Sequence, residues 1–110
     1  MVIKTRKEKD VVVVSVKGRM DAITAPDFDK KMDEVMDAGN RYFVLNFGKL
    51  EYISSAGLRS ILLVGKKLRT DDGKVIISDL RDPVKEIFDI SGFGSIFQIV
   101  GTDEAALEQF

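Results

Sequence analysis

The chain contains no cysteine and no histidine. Without cysteine there are no disulfides, no thiolate nucleophiles and no thiolate metal sites. Without histidine the usual general base and the commonest metal ligand are missing, and a Ser-His-Asp triad cannot be built within the chain. No run of one sign stands out among 17 basic and 18 acidic residues, which leave a net charge of −1. That balance argues against nucleic acid as a direct partner. No apolar run reaches the ~20 residues of a membrane-spanning helix, and the N-terminus lacks a signal-peptide pattern. The expectation is a cytoplasmic protein with no membrane insertion. A phosphate-cradling glycine loop is also missing, because Gly92-Phe93-Gly94 follows a helix-like run instead of joining a strand to a helix. No cofactor and no metal are expected.

What is present suits a folded α/β protein. At 110 residues, 45% hydrophobic and 32% charged, the chain is long enough to form one domain, residues 1–110, with its own core. Met1 to Arg6 alternates loosely and reads as an edge strand, followed by a charged turn at Lys7-Glu8-Lys9-Asp10. Val11 to Val16 is a β-branched run, expected to be a strand buried on both faces and paired with the first as a hairpin. Gly18 to Asp21 reads as the end of that strand. Thr24 offers an N-cap, with Pro26 in the first turn and Phe28, Met32, Val35 and Met36 at helical spacing up to Gly39-Asn40. Tyr42 to Phe47 is a second buried strand, with Gly48 to Tyr52 as a short connection. Val75 to Ile77 is a third. Asp82 as N-cap and Pro83 at the first helical position open a helix that presents Val84, Ile87 and Phe88 inward and closes at Ser91-Gly92. Ile96 to Val100 is the last strand, and Asp103 is placed to cap a short terminal helix. The order β-β-α-β-α-β-α-β-α predicts a mixed, mostly parallel sheet of about five strands covered by four helices, with the first strand antiparallel at an edge.

The stretch Tyr52-Ile53-Ser54-Ser55-Ala56-Gly57-Leu58 stands where a strand hands over to a helix. Ser54 suits the N-cap, because its oxygen can accept from a free N–H of the first turn. Ile53 and Leu58 then occupy the two positions of a hydrophobic staple. Ser55 falls at the first helical position with its hydroxyl facing out. A helix N-terminus carries partial positive charge and unpaired donors, so a phosphate on Ser55 would be favoured there. The plain alternative is that both serines only start a helix. On the following helix, Leu58, Ile61, Leu62, Gly65 and Leu68 are expected inward, and Arg59, Leu63, Lys66, Lys67 and Thr70 outward. Arg59, Leu63, Lys66 and Lys67 together offer an apolar spot ringed by cations, which is either a partner surface or a solvated face. In open α/β sheets the useful crevice lies beyond the C-terminal strand ends. There the loops Gly18 to Thr24 and Gly48 to Ile53 should meet, bringing Asp21 near Ser55 unless it is only a turn residue. A two-component receiver would need an aspartate where Asn46-Phe47-Gly48 stands, and is rejected.

Four segments, Gly18-Arg19-Met20-Asp21, Val44-Leu45-Asn46-Phe47, Tyr52 to Leu58 and Ile90-Ser91-Gly92-Phe93, together resemble the STAS domain, and within it the bacterial anti-sigma factor antagonists. The resemblance covers almost the whole chain. It implies that the unphosphorylated protein binds an anti-sigma factor that is also a serine kinase, releasing the sigma factor. Phosphorylation ends binding and a serine phosphatase restores it. Aligned on Gly57-Leu58, the phosphorylated position is Ser55, with Ser54 as the second choice. The family's aspartate before that position is replaced by Ser54, and Asp21 matches an aspartate of the family pattern. The partner surface implied is Asp21, Ser54, Ser55, Gly57, Arg59, Leu63 and Lys66. The chain would be a substrate and switch, with no catalysis of its own. Two other readings remain open. One is a STAS module of a larger signalling or transporter assembly, binding without serine phosphorylation. The other is a serine nucleophile activated by Lys49 or Asp21, which lacks the usual activating base.

Overall fold

The computed structural model describes residues 1–110. Strands β1 (Val2–Glu8), β2 (Val11–Met20), β3 (Tyr42–Ile53), β4 (Lys74–Ser78) and β5 (Gln98–Val100) form one sheet in the order β1-β2-β3-β4-β5. Strand β1 pairs antiparallel with β2 at the edge, and every other pairing is parallel. Helices α1 (Ala25–Asp37), α2 (Ser55–Thr70), α3 (Val84–Ile90) and α4 (Asp103–Leu107) follow the strands in turn, with a 3-10 turn at Phe93–Ser95.

Period-two alternation divides the sheet residues between two cores. Val12, Val14, Val16, Phe43, Leu45, Phe47 and Ile77 face the large one, which α1 fills with Phe28 and Met32, α2 with Ile61, Val64 and Leu68, and α3 with Val84 and Phe88. Phe47, Phe88, Phe93 and Phe97 form a chain of rings with successive centroids 5.9, 5.0 and 5.5 Å apart. Removing any one of these fully packed rings should cost about 3–5 kcal/mol. The opposite face carries Val11, Val13, Val44 and Ile76, covered by Ala106 of α4.

Strands β2 and β3 run well past the ends expected from sequence. Gly18 to Thr24 and Gly48 to Ile53 were expected to be loops, but Gly18 pairs with Leu50, Arg19 with Tyr52 and Met20 with Ile53. Two register shifts, between Ser15 and Lys17 and between Gly18 and Arg19, let the pairing continue. Gly18 takes φ +102° there, a conformation that needs no Cβ. The Arg19 guanidinium lies 4.4 Å from the centre of the Tyr52 ring and braces the extension. The result is a two-stranded ribbon that projects beyond β4.

Smaller differences have local causes. Leu62 was expected inward but is 39% exposed, while Ser60 and Val64 are buried, because the buried phase of α2 begins at Gly57. Pro83, not Asp82, is the N-cap residue of α3. Strand β5 begins only at Gln98, since the 3-10 turn at Phe93–Ser95 delays it and sends Phe97 into the core. Thr102, not Asp103, caps α4, its oxygen accepting from the Ala105 N–H at 3.1 Å. The Asp103 carboxylate instead accepts from Asn46 Nδ2 at 2.9 Å and Ser78 Oγ at 2.6 Å, pinning α4 to the sheet.

Candidate functional site

The ribbon ends where α1 and α2 begin, and its last rungs place the candidate residues. The Ser54 N–H donates to the Met20 carbonyl at 2.9 Å. That bond sets the segment beginning at Asp21 beside the start of α2. Ser54 has extended backbone angles, φ −95° and ψ 176°, and its Oγ accepts from the Gly57 N–H at 3.4 Å. Its carbonyl accepts from the Leu58 N–H at 2.9 Å. Ser54 is therefore the N-cap, engaged by its backbone and its side chain. Ser55 is the first helical residue and is exposed, with no protein partner for its hydroxyl.

Asp21 holds the neighbouring turn together. Its Oδ1 accepts from the Ile23 and Thr24 N–H groups, each at 3.0 Å. The Thr24 hydroxyl accepts from the Asp21 N–H at 2.9 Å and donates to the Arg19 carbonyl at 2.8 Å. Thr24 sits at the N-cap of α1 as expected, but its side chain does not cap the helix. The Thr24 N–H, more than any other group, holds the Asp21 carboxyl below its ordinary pKa. Asp21 is thus a turn residue in its hydrogen bonding and a fixed negative charge at the site in its position.

The remaining candidates divide. Arg59 and Lys66 are exposed on α2, and Leu63 is 45% exposed. Spacings of four, eight and eleven residues from Ser55 put them on its helix face, with Leu63 about 12 Å along the axis. Leu63 and Lys66 also line a shallow groove against α1, whose other wall includes Asp33 and Asp37. Gly57, expected at the partner surface, is buried. A Cβ there would lie 2.7 Å from Ile53 Cγ1 and 2.9 Å from Met20 Cγ, so the glycine lets α2 seat against the ribbon. Lys67 is committed within the chain, its Nζ 2.8 Å from Asp33 Oδ1, and that bond holds its pKa above the ordinary value.

Sequence reasoning passed over Ile23. It is 85% exposed, the most exposed large apolar side chain of the molecule, and it sits in the turn that Asp21 fixes. The signal available was an isoleucine in a short polar turn, outside the periodicity of any element. Together the site offers an unpartnered hydroxyl at a helix N-terminus, an adjacent apolar knob, a fixed carboxylate and a cation one helical turn on. No group of acidic residues here could hold a metal ion. The set suits a protein contact that a charge on Ser55 would alter.

Comparison with known proteins agrees in family and fold. The STAS domain profile matches residues 2–106. BtrV of Bordetella bronchiseptica, a candidate anti-sigma factor antagonist, is 39% identical over 100 residues, covering 91% of this chain and 86% of its own length. Among solved structures, the anti-sigma factor antagonist SpoIIAA in its unphosphorylated form superposes with a TM-score of 0.84 at 21% identity, covering 98% of this chain and 95% of that one. The phosphorylated form of SpoIIAA, a Bacillus cell fate determinant, gives 0.77 at 20% identity with 98% of both chains covered. At those identities the structural likeness is one of fold.

Proposed function

The chain belongs to the STAS domain family, and from that premise we propose that it is an anti-sigma factor antagonist switched by phosphorylation of Ser55. The unmodified protein binds an anti-sigma factor serine kinase through the end of the molecule that carries Asp21, Ile23, Ser54, Ser55 and Arg59, with Leu63 and Lys66 extending the contact along α2. Binding displaces the sigma factor. A serine phosphatase resets the switch. The antagonist names of its relatives support the class of activity. The observation that carries the choice of residue is the division of labour between the adjacent serines: Ser54 is spent on the cap, while Ser55 is exposed and unpartnered.

The electrostatics support a local switch. Phosphate adds about −1.5 to −2 charges. At the N-terminus of α2 the unpaired N–H groups and the helix dipole accommodate them, so the fold has no reason to open. In an interface the same dianion must be desolvated beside the fixed Asp21 carboxylate, which costs several kcal/mol when no partner cation is supplied. Arg59 follows Ser55 by four residues, the spacing of neighbouring side chains on a helix. A phosphate on Ser55 therefore draws Arg59 to itself and removes that cation from the partner. A loss of 1.4 kcal/mol already weakens binding about tenfold.

Calorimetric titration of the purified anti-sigma factor kinases of the source organism tests the proposal. The unmodified chain and Ser55→Ala are expected to bind one of them. Ser55→Asp is expected to bind at least about tenfold more weakly. Equal binding by Ser55→Asp would reject the switch and favour a constitutive binding module.

A further inference from the structure

Single exposed apolar side chains are ordinary on a protein surface. Ile23 differs from the others in how it is held. It is 85% exposed, ahead of Ile90 at the end of α3, which is 79% exposed. Its backbone is nevertheless fixed on both sides. The Ile23 N–H donates to Asp21 Oδ1 at 3.0 Å, and the same oxygen accepts from the Thr24 N–H at 3.0 Å. The Ala25 N–H donates to the Asp21 carbonyl at 2.8 Å and closes the turn. The Thr24 hydroxyl ties the turn back to the Arg19 carbonyl at 2.8 Å. Pro26, in the first turn of α1, stiffens the chain that follows.

These restraints bear on binding. A β-branched side chain has few rotamers to lose. A turn that is already ordered has little backbone entropy to lose when a partner closes over it. At 85% exposure the isoleucine packs against almost nothing in its own chain, so it contributes little to the stability of the fold. The turn also leaves the β2–β3 ribbon from the same paired end as Ser55, through the bond from the Ser54 N–H to the Met20 carbonyl. Around this one apolar projection the site is polar, with Asp21, Ser55 and Arg59. An apolar side chain inside a polar rim is the pattern of an interface anchor, where one buried group carries much of the binding energy.

We propose that Ile23 is the anchor of the partner contact, inserting into an apolar pocket of the anti-sigma factor sized for a branched aliphatic side chain, an assignment that rests on the antagonist function proposed above. Asp21 is the positioning residue that holds the turn out for it. The two ends of the site then have separate tasks. Ile23 supplies affinity and selects the partner by the fit of its pocket, and Ser55 decides whether the contact is allowed.

Calorimetric titration of the anti-sigma factor kinase that the parent chain binds tests this with a graded series. Ile23→Ala should weaken binding at least about tenfold, and Ile23→Val only about threefold. Ile23→Trp should also weaken it, because a closed pocket rejects the larger ring where an open apolar surface would accept it. Ile90→Ala, at a similarly exposed isoleucine, should bind like the parent, and melting curves verify that every variant is folded. Asp21→Ala should weaken binding in the parent and far less in the Ile23→Ala background, since it acts through the isoleucine. An equal effect in both backgrounds would make Asp21 an independent contact and overturn its positioning role. Parental binding by Ile23→Ala, while Ser55→Asp still weakens binding, would overturn the anchor and leave the switch standing. Parental or tighter binding by Ile23→Trp would overturn the pocket. A parent chain that binds none of the kinases would overturn the anchor together with the antagonist function on which it rests.

Discussion

Ser54 and Met20 are joined by a backbone hydrogen bond of 2.9 Å, from the serine N–H to the methionine carbonyl. One residue beyond each partner stand Ser55 and Asp21. The rung is the last tie of the β2–β3 ribbon, so the segments that carry Asp21 and Ser55, distant in sequence, leave the ribbon from one paired end. The geometry of the proposed switch therefore rests on rigid paired backbone.

Phosphorylation of Ser55 should leave the fold intact. Backbone amide spectra of the modified chain should differ from the unmodified one only around residues 20–24 and 53–59, with the Arg59 side-chain Nε signal moving as it meets the phosphate. Loss of the dispersed spectrum would contradict a local switch and point to unfolding of the end that carries the site.

The two serines should separate by stability. Ser54→Ala removes the oxygen that accepts from Gly57, and should cost about 0.5–1 kcal/mol, the lower part of the N-cap range, because that bond is long at 3.4 Å. Ser55→Ala removes an exposed hydroxyl with no partner and should stay within about 0.5 kcal/mol of the parent. Urea denaturation of both variants measures the difference. The reverse order would mean that the cap has been assigned to the wrong serine.

Gly57→Ala should destabilise the protein although alanine is the better helix former. The new methyl would sit 2.7 Å from Ile53 Cγ1 and 2.9 Å from Met20 Cγ, and both side chains are buried. Overpacking of this kind costs about 1–3 kcal/mol, against roughly 1 kcal/mol gained in helix propensity. A lowered denaturation midpoint is the expected result. An unchanged or raised midpoint would show that α2 can shift away from the ribbon without loss.

The site should also respond to acid through Asp21. Its folded pKa is depressed, first by the Thr24 N–H. A depressed carboxyl contributes stability that is present above its unfolded pKa and is lost as pH falls through the folded value. The Ile23 and Thr24 amide signals, whose N–H groups donate to Asp21, should therefore titrate together with a midpoint below the ordinary aspartate value. Asp21→Ala should abolish that titration and loosen the turn carrying Ile23. A midpoint at or above the ordinary value would contradict the hydrogen-bonded turn.

The element order and the sheet were legible because they depend on patterns that tertiary context seldom reverses. The β-branched run from Val11, the apolar run from Tyr42 and the helical spacing of Phe28 and Met32 each admit one kind of element. Ser54 as N-cap was legible for the same reason, since Ser before a helix with an apolar pair at Ile53 and Leu58 is a local signal. The ribbon was not. Gly18-Arg19 and Gly48-Lys49 carry the composition of turns, and only pairing between segments some 30 residues apart makes them strands. The burial of Gly57 was hidden too, because in sequence a glycine near a helix start looks like freedom or exposure. Here it is a close approach. Asp103 looked like a cap, yet its role depends on Asn46 and Ser78, which no local pattern links to it.

The switch is tested by isolating the protein from its native cells, through growth and through stress, and mapping phosphate by peptide mass spectrometry. Phosphate is expected on Ser55, with an occupancy that changes between conditions. Phosphate on Ser54 instead, or none in any condition, would contradict it.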